Sequence, residues 1–327
     1  MRTGTISETV LKRSVLKNIC YRSDCLVSGP AVGQKCGARA VAGGKQMVFS
    51  EVSVTGCAGI AEEIAFERLR NDVSASGGQL AGILITLFFP AAGEERELKS
   101  IMNKLAEMAR THEVDILGGH TEVLDAVTEP IIALTGAGFA AADTNRKSGN
   151  FEPGQDIVMT KWAGAAGAAG LVRARRHNAA VDCLDQRFFN DFLDRSGSYF
   201  HKMSSVPDVD TAVAFGVTAL YNAGKKGVFG ALWELGEASG VGIQVELKKI
   251  PVRQETIEVC EFIDCNPYLI ASDGVLLAGT HEGARLVEAY RLAGIPAAVI
   301  GTVTGGNDRV VINGAEKRFL VPPGTDV

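Results

Sequence analysis

Between Ala61 and Phe139 the apolar residues change period from one segment to the next, and that alternation constrains the fold more than any other feature of the sequence. Ala61, Ile64, Ala65, Leu69 and Val73 are spaced 3, 1, 4 and 4 and lie on one stripe of a helix. Leu80–Phe89 is an unbroken apolar run stopped by Pro90, the signature of a buried strand. Leu98, Ile101, Met102, Leu105, Met108 and Ala109 make a second helix stripe. Val114–Leu117 is a short strand running into Gly118-Gly119-His120-Thr121, and Ile131–Phe139 is another strand. With Met47–Val54 as a strand ahead of them, the order is β-α-β-α-β-β. Each stripe must bury itself on a sheet, so this half reads as a mixed α/β layer.

The second half repeats the principle with different lengths. Asp143–Pro153 is polar and reads as a linker. Strands are predicted at Asp156–Lys161, Gly240–Leu247, Tyr268–Ala271, Val275–Gly279, Ala297–Val303 and Arg309–Ile312. Helices are predicted over Asp185–Met203, Glu255–Ile263 and Glu282–Leu292, and on the stripe Val228, Ala231, Leu232, Leu235 and Ala238. Ala163–Gly170 is almost all Ala and Gly. Met1–Cys25 is an amphipathic lead-in, and Gly29–Gly44 is a glycine-rich loop. A chain of 327 residues favours two domains, and the linker sets them at 1–145 and 151–327.

Composition narrows the function classes. Apolar residues make up 46% and charged residues 22%, which excludes a disordered chain. A net charge of −5 gives no electrostatic footprint for nucleic acid. The longest apolar stretch, Leu80–Ala92, falls short of the ~18 residues of a spanning helix, so no membrane partner is expected. Met1–Lys17 has neither an apolar core nor a small-residue cleavage pattern, so no signal peptide is expected. Seven cysteines, an odd number without a secretory context, read as reduced thiols of a cytoplasmic protein.

Several short segments have side chains suited to chemistry. Asn71-Asp72, ahead of Gly77-Gly78, offers a carboxylate to a divalent cation, or simply a polar helix end. Gly118-Gly119-His120-Thr121-Glu122 offers close backbone approach and a hydroxyl to a phosphate, or is only a strand-to-turn junction. Thr160-Lys161 places an ammonium at a strand end, for a phosphate or for solvent. The Gly29–Gly44 loop matches neither the dinucleotide nor the P-loop pattern. Cys20/Cys25 and Cys260/Cys265 are spaced too widely within each pair for a usual zinc site, and Cys260 reads as a core thiol. No Ser/His/Asp nucleophile motif and no His-Glu-x-x-His is present.

Taken in order, six segments resemble the aminoimidazole-ribonucleotide synthetase superfamily, whose branches include HypE-like hydrogenase-maturation proteins, selenophosphate synthetases and thiamine-monophosphate kinases. They are Gly29-Pro30-Ala31-Val32-Gly33, Arg70–Gly78 (RNDVSASGG), Leu117–Val123 (LGGHTEV), Val158–Trp162 (VMTKW), Gly227–Gly242 (GVFGALWELGEASGVG) and Ala271–Leu277 (ASDGVLL). The HypE-like branch is the nearest. The resemblance implies a two-domain α/β (α+β) fold, with an N-terminal domain that forms a shared barrel in a homodimer and a C-terminal α/β domain. It implies ATP as cofactor, Mg²⁺ held by aspartates, and phosphoryl transfer to an oxygen of a small-molecule or protein substrate. Carried onto this chain, the nucleotide-binding residues are Gly33, Lys35, Asn71, Asp72, His120, Thr121 and Lys161, and the metal ligands Glu51 and Asp72. A degenerate, non-catalytic dimeric binding or scaffold protein of the same fold is the alternative.

The chain departs from the family pattern where charge matters most. Gly-Glu-Asp is here Gly33-Gln34-Lys35, Thr-Thr-Asp is Phe49-Ser50-Glu51, Gly-Asp-Thr is Gly119-His120-Thr121, and a His-Asp pair is Tyr221-Asn222; Asp72 is unchanged. Lysine for aspartate alters the local charge by two units. Each unit corresponds to ~3–4 kcal/mol at ~4–5 Å and an effective dielectric near 20. Weak metal binding is expected, with Lys35 meeting a phosphate directly. The sequence ends without the terminal cysteine of HypE, its last being Cys265, so self-modification of a terminal thiol is not expected. The N-terminal Cys or Lys of selenophosphate synthetases is not evident either.

Overall fold

The computed structural model describes residues 6–19, 22–56, 60–142, 144, 148–176 and 203–323. The helix predicted over Asp185–Met203 lies outside these residues except for Met203, which is not helical. The strands form two sheets.

The first sheet has the order β1-β2-β3-β6-β4-β5. Its strands are β1 (Leu26–Ser28), β2 (Gly37–Val41), β3 (Lys45–Thr55), β4 (Gln79–Pro90), β5 (Asp115–Leu124) and β6 (Ile131–Ala141). Helices α1 (Ala61–Ala75) and α2 (Glu95–Thr111) cover one face. Alternation along β3 explains this: Val48 and Val52 point to the helices, while Phe49, Glu51 and Ser53 point away. Phe66, Leu69, Val73, Ile101 and Leu105 close the core against Ile83, Ile85, Ile132 and Leu134.

Two sequence readings change here. The Gly29–Gly44 loop contains β2, which pairs antiparallel with β3 through a turn at Gly43-Gly44, both in the left-handed region. The strand predicted to end at Leu117 continues to Leu124 in parallel register with β4, with a bulge at Ile83/Leu84. A side chain at Gly119 would stand 1.8 Å from the Ile85 carbonyl oxygen, so the glycine there serves strand contact.

The second sheet has the order β13-β12-β9-β11-β7-β10-β8. Its strands are β7 (Asp156–Thr160), β8 (Ala219–Asn222), β9 (Gly242–Glu246), β10 (Leu276–Thr280), β11 (Ala297–Thr304), β12 (Arg309–Asn313) and β13 (Glu316–Phe319). Its helices are α3 (Ala165–Arg176), α4 (Val206–Ala214), α5 (Gly227–Ser239), α6 (Gln254–Ile263) and α7 (Gly283–Leu292). α5 packs on one face through Val228, Ala231, Leu232 and Leu235. α4 and α7 pack on the other through Val209, Ala212, Leu286 and Tyr290. β7 therefore reads as a continuous apolar run, buried on both sides. The strand predicted over Tyr268–Ala271 is instead a turn.

α1 belongs to more than one core. Phe66 and Leu69 fill the first sheet's core, Ile64 packs against the α3/α6 cluster, and Ala75 joins the α4/α7 side of the second sheet. Its polar residues face the second half, and they build the site.

Candidate functional site

A cavity of about 280 Å³ lies where β3 and α1 meet the Gly224–Gly227 turn and α5. Gln34, Lys35, Glu51, Arg68, Asp72, Lys226 and Glu234 contribute to its lining. The Arg68 guanidinium donates from Nε and Nη2 to the two carboxylate oxygens of Asp273, at 2.7 and 2.9 Å. One turn further along α1, Asn71 donates to the Met203 carbonyl and accepts from the Ser205 amide, both at 2.7 Å. Asn222 donates to Asp72 Oδ1 at 3.4 Å and accepts from Ser205 Oγ at 2.7 Å.

Two of the departures from the family pattern, Lys35 and Tyr221, meet at Glu234. Lys35 Nζ is 3.8 Å from Glu234 Oε2 and 5.2 Å above the Tyr221 ring. Tyr221 donates its hydroxyl to Glu234 Oε2 at 2.9 Å, and Lys226 donates to Glu234 Oε1 at 2.6 Å. Burial opposes the charge of Lys35, but Glu234 and Asp72 outweigh it, so its pKa lies above the ordinary 10.5. The ammonium is therefore retained below that value and lost only as the pH rises beyond it. Burial likewise opposes the Glu234 carboxylate, and Lys35 and Lys226 overcome it, leaving that pKa below the usual value. For Asp72 burial prevails over Lys35 and Arg68, and its pKa is raised. Burial and the Asp72 charge push the neighbouring Cys36 thiol up to about 12.

The remaining sequence-predicted residues sit elsewhere. Gly33 does not line the cavity. It is left-handed, at φ 75°, and a Cβ there would lie 2.5 Å from the Glu234 carbonyl oxygen, so its role is loop contact with α5. Lys161 is buried and also left-handed, and its ammonium donates to Ser204 O, Asp208 Oδ2 and Gly274 O at 2.7 to 3.0 Å. It stabilises the fold around α4 and does not line the cavity. His120 and Thr121 lie on β5, which is exposed along almost its whole length. Register places His120 on the same face as Ser53, three strand spacings or roughly 14 Å away. Thr121 is on the opposite face, beside Leu87.

Glu234, Arg68 and Lys226 were not singled out in the sequence, although two of them carried a signal. Glu234 lies three residues after Ala231 and four before Ala238, a charge on an apolar stripe. Arg68 falls likewise four residues after Ile64. A charge on a buried stripe needs a partner.

Residues 10–140 match the sequence profile of AIR synthase related protein, N-terminal domain, and residues 152–313 that of its C-terminal domain. The chain belongs to the AIR synthase-related family. Carbamoyl dehydratase HypE of Azotobacter vinelandii is 29% identical over 254 residues, covering 74% of this chain and 69% of that protein. A crystal structure of hydrogenase maturation protein HypE in complex with ATP is similar with a TM-score of 0.69 and 20% identity, over 97% of this chain and 92% of that one. ThiL complexed with AMPPCP and TMP is similar with a TM-score of 0.70 and 17% identity, over 100% and 98%. The two structural likenesses define the fold.

The aspartate-held Mg²⁺ that the resemblance implies does not fit the residues present. Among the described residues no group of three or more His, Cys, Asp or Glu is placed to hold a metal ion. Asp72 faces the Asn222 amide, and of the charges acting on it Lys35 and Arg68 are cations, with Asp273 a weaker anion, so a further cation there meets two already in place. No helix of the described residues is long and apolar enough to cross a membrane.

Proposed function

We propose that this chain binds ATP in the cavity between β3, α1 and α5 and transfers its terminal phosphoryl group to an oxygen of a second substrate. One observation carries the reading: Lys35, where the resemblance implies an aspartate, lines the cavity with its ammonium 3.8 Å from Glu234, and Glu234 and Asp72 favour its charged form. Lys35, Arg68 and Lys226 meet the phosphates, and their charges offset the negative charge spread over the transferring group. The acceptor oxygen bonds to the terminal phosphorus as the bridging P–O bond breaks and ADP leaves. The known relatives support this reading, since one solved HypE holds ATP. Titration calorimetry tests it. ATP binds, and adding Mg²⁺ changes the affinity by less than about threefold, well under the 1.4 kcal/mol of a tenfold change. No binding, or binding only with Mg²⁺, overturns it.

A second reading, a binding or scaffold protein without turnover, is favoured by the pairing already present: Lys35 and Lys226 with Glu234, and Arg68 with Asp273. ATP binding without ADP formation, with any acceptor supplied, decides for it.

The protein acts in either case as a homodimer on our reading. β5 is an edge strand whose Leu117 and Val123 are about 60% exposed, at 61% and 62%. Phe49, Leu84 and Phe139 are exposed on the face that none of the described helices covers. An edge and an apolar face left open together fit a second copy. Light scattering gives twice the 34.5 kDa chain mass at micromolar concentration, and Leu117→Lys with Val123→Lys shifts it to the monomer. A monomeric parent protein refutes the dimer.

A further inference from the structure

Beside the nucleotide cavity lies a larger one, of about 570 Å³, within the range of small-molecule sites. The two cavities share Lys225 and Lys226. Ala166, Gly167 and Gly170 of α3 line the larger one, with Ile263, Leu269 and Ile270 from the α6 region. Ile64 of α1 contributes from the first half of the chain, and Val321–Pro323 line it as well.

Gly170 carries the argument. It lies within α3, and glycine weakens a helix relative to alanine. A neighbouring glycine has a packing reason: a Cβ on Gly167 would stand 2.8 Å from the Ala271 amide. Gly170 shows none: apart from its chain neighbours and the backbone of α3 itself, no described atom lies within 4 Å of the Cβ position. The space it leaves belongs to the cavity. An apolar chamber with vacant room at a helical glycine, opening beside the lysines of the phosphate cavity, has the form of a second-substrate site.

We propose that this chamber binds the second substrate, a small molecule with an apolar body and an oxygen-bearing, anionic or hydroxyl end directed at the Lys225–Lys226 turn. The substrate role rests on the nucleotide reading above; the binding site itself does not. The probe is 1-anilinonaphthalene-8-sulfonate, which has a three-ring apolar body and a single anionic end. Fluorescence titration of the full chain gives one saturable site. Gly170→Leu fills the vacant space and weakens the dye about tenfold or more. ATP affinity is unchanged in that variant, because Gly170 does not line the nucleotide cavity. Unchanged dye affinity in Gly170→Leu overturns the proposal.

Cys265 gives a readout that needs no variant, should Gly170→Leu fail to fold. It lines the same chamber and is half-buried. Alkylation by N-phenylmaleimide, mapped to the peptide, slows severalfold when the dye is bound; equal rates overturn the proposal. A dye site sensitive to Gly170→Leu in a protein that does not bind ATP supports the chamber and refutes only the nucleotide reading.

Discussion

Arg68→Ala is expected to lower the stability of the ligand-free protein by about 3–5 kcal/mol, the range found when one member of a buried ion pair is removed. The Asp273 side chain is 1% exposed, and Arg68 holds both of its oxygens. Removing the guanidinium leaves a carboxylate with neither water nor its charged partner. It also unties α1 from the Ser272–Gly274 loop, 205 residues away in sequence. Replacing both partners by apolar residues, as in Arg68→Met with Asp273→Leu, should recover much of the loss, because the desolvation penalty goes with the charges. Urea unfolding of the two single variants and the double variant measures this. A loss below about 1 kcal/mol in Arg68→Ala, the level of an exposed pair, would show that the bridge is solvated.

Lys35→Asp is the second large effect, and it reverses the sign of the site. The change is two charge units beside Glu234 and Asp72. At ~4–5 Å and an effective dielectric near 20 each unit is worth ~3–4 kcal/mol before screening. The variant gathers the introduced carboxylate with Glu51, Asp72 and Glu234 around one cavity, the hard-oxygen environment that divalent cations take. Mg²⁺ affinity therefore rises by about tenfold or more, and ATP without metal binds at least about tenfold more weakly. Mg²⁺ should also raise the unfolding temperature of the variant and leave the parent unmoved. Equal Mg²⁺ affinities in the two proteins would place Lys35 outside the phosphate site. Strong Mg²⁺-dependent turnover by the parent protein would defeat the metal-free reading altogether.

The elements that were legible in the sequence are those whose apolar period is strong. The stripes from Ala61 and Leu98 are α1 and α2, and the run from Leu80 is β4. β2 was hidden because its residues, Gly37–Val41, have weak strand character and depend on pairing with β3. β5 was cut short at Gly118-Gly119 because glycines read as a turn when they permit a bulge. The charged network was the least legible part. Lys35, Tyr221 and Asn222 stand out singly as departures, but Glu234, the shared partner of Lys35 and Tyr221, lies in a stretch that reads as helix core, and Asn222 reaches Asp72 instead. What joins them is long-range contact, which no local period encodes.

The position of α1 has a consequence for synthesis. As the chain leaves the ribosome, residues 26–141 hold every strand of the first sheet, so that half has the means to collapse early. Yet Arg68, Asn71 and Asp72 on its surface bond to Asp273, Met203, Ser205 and Asn222. At roughly 5–20 residues per second, the nascent first half presents this polar seam for several seconds to tens of seconds before those residues of the second half have been made. During that interval α1 is a ready surface for chaperones, or for the seam of another nascent chain, and the order of translation becomes part of how the two halves find each other.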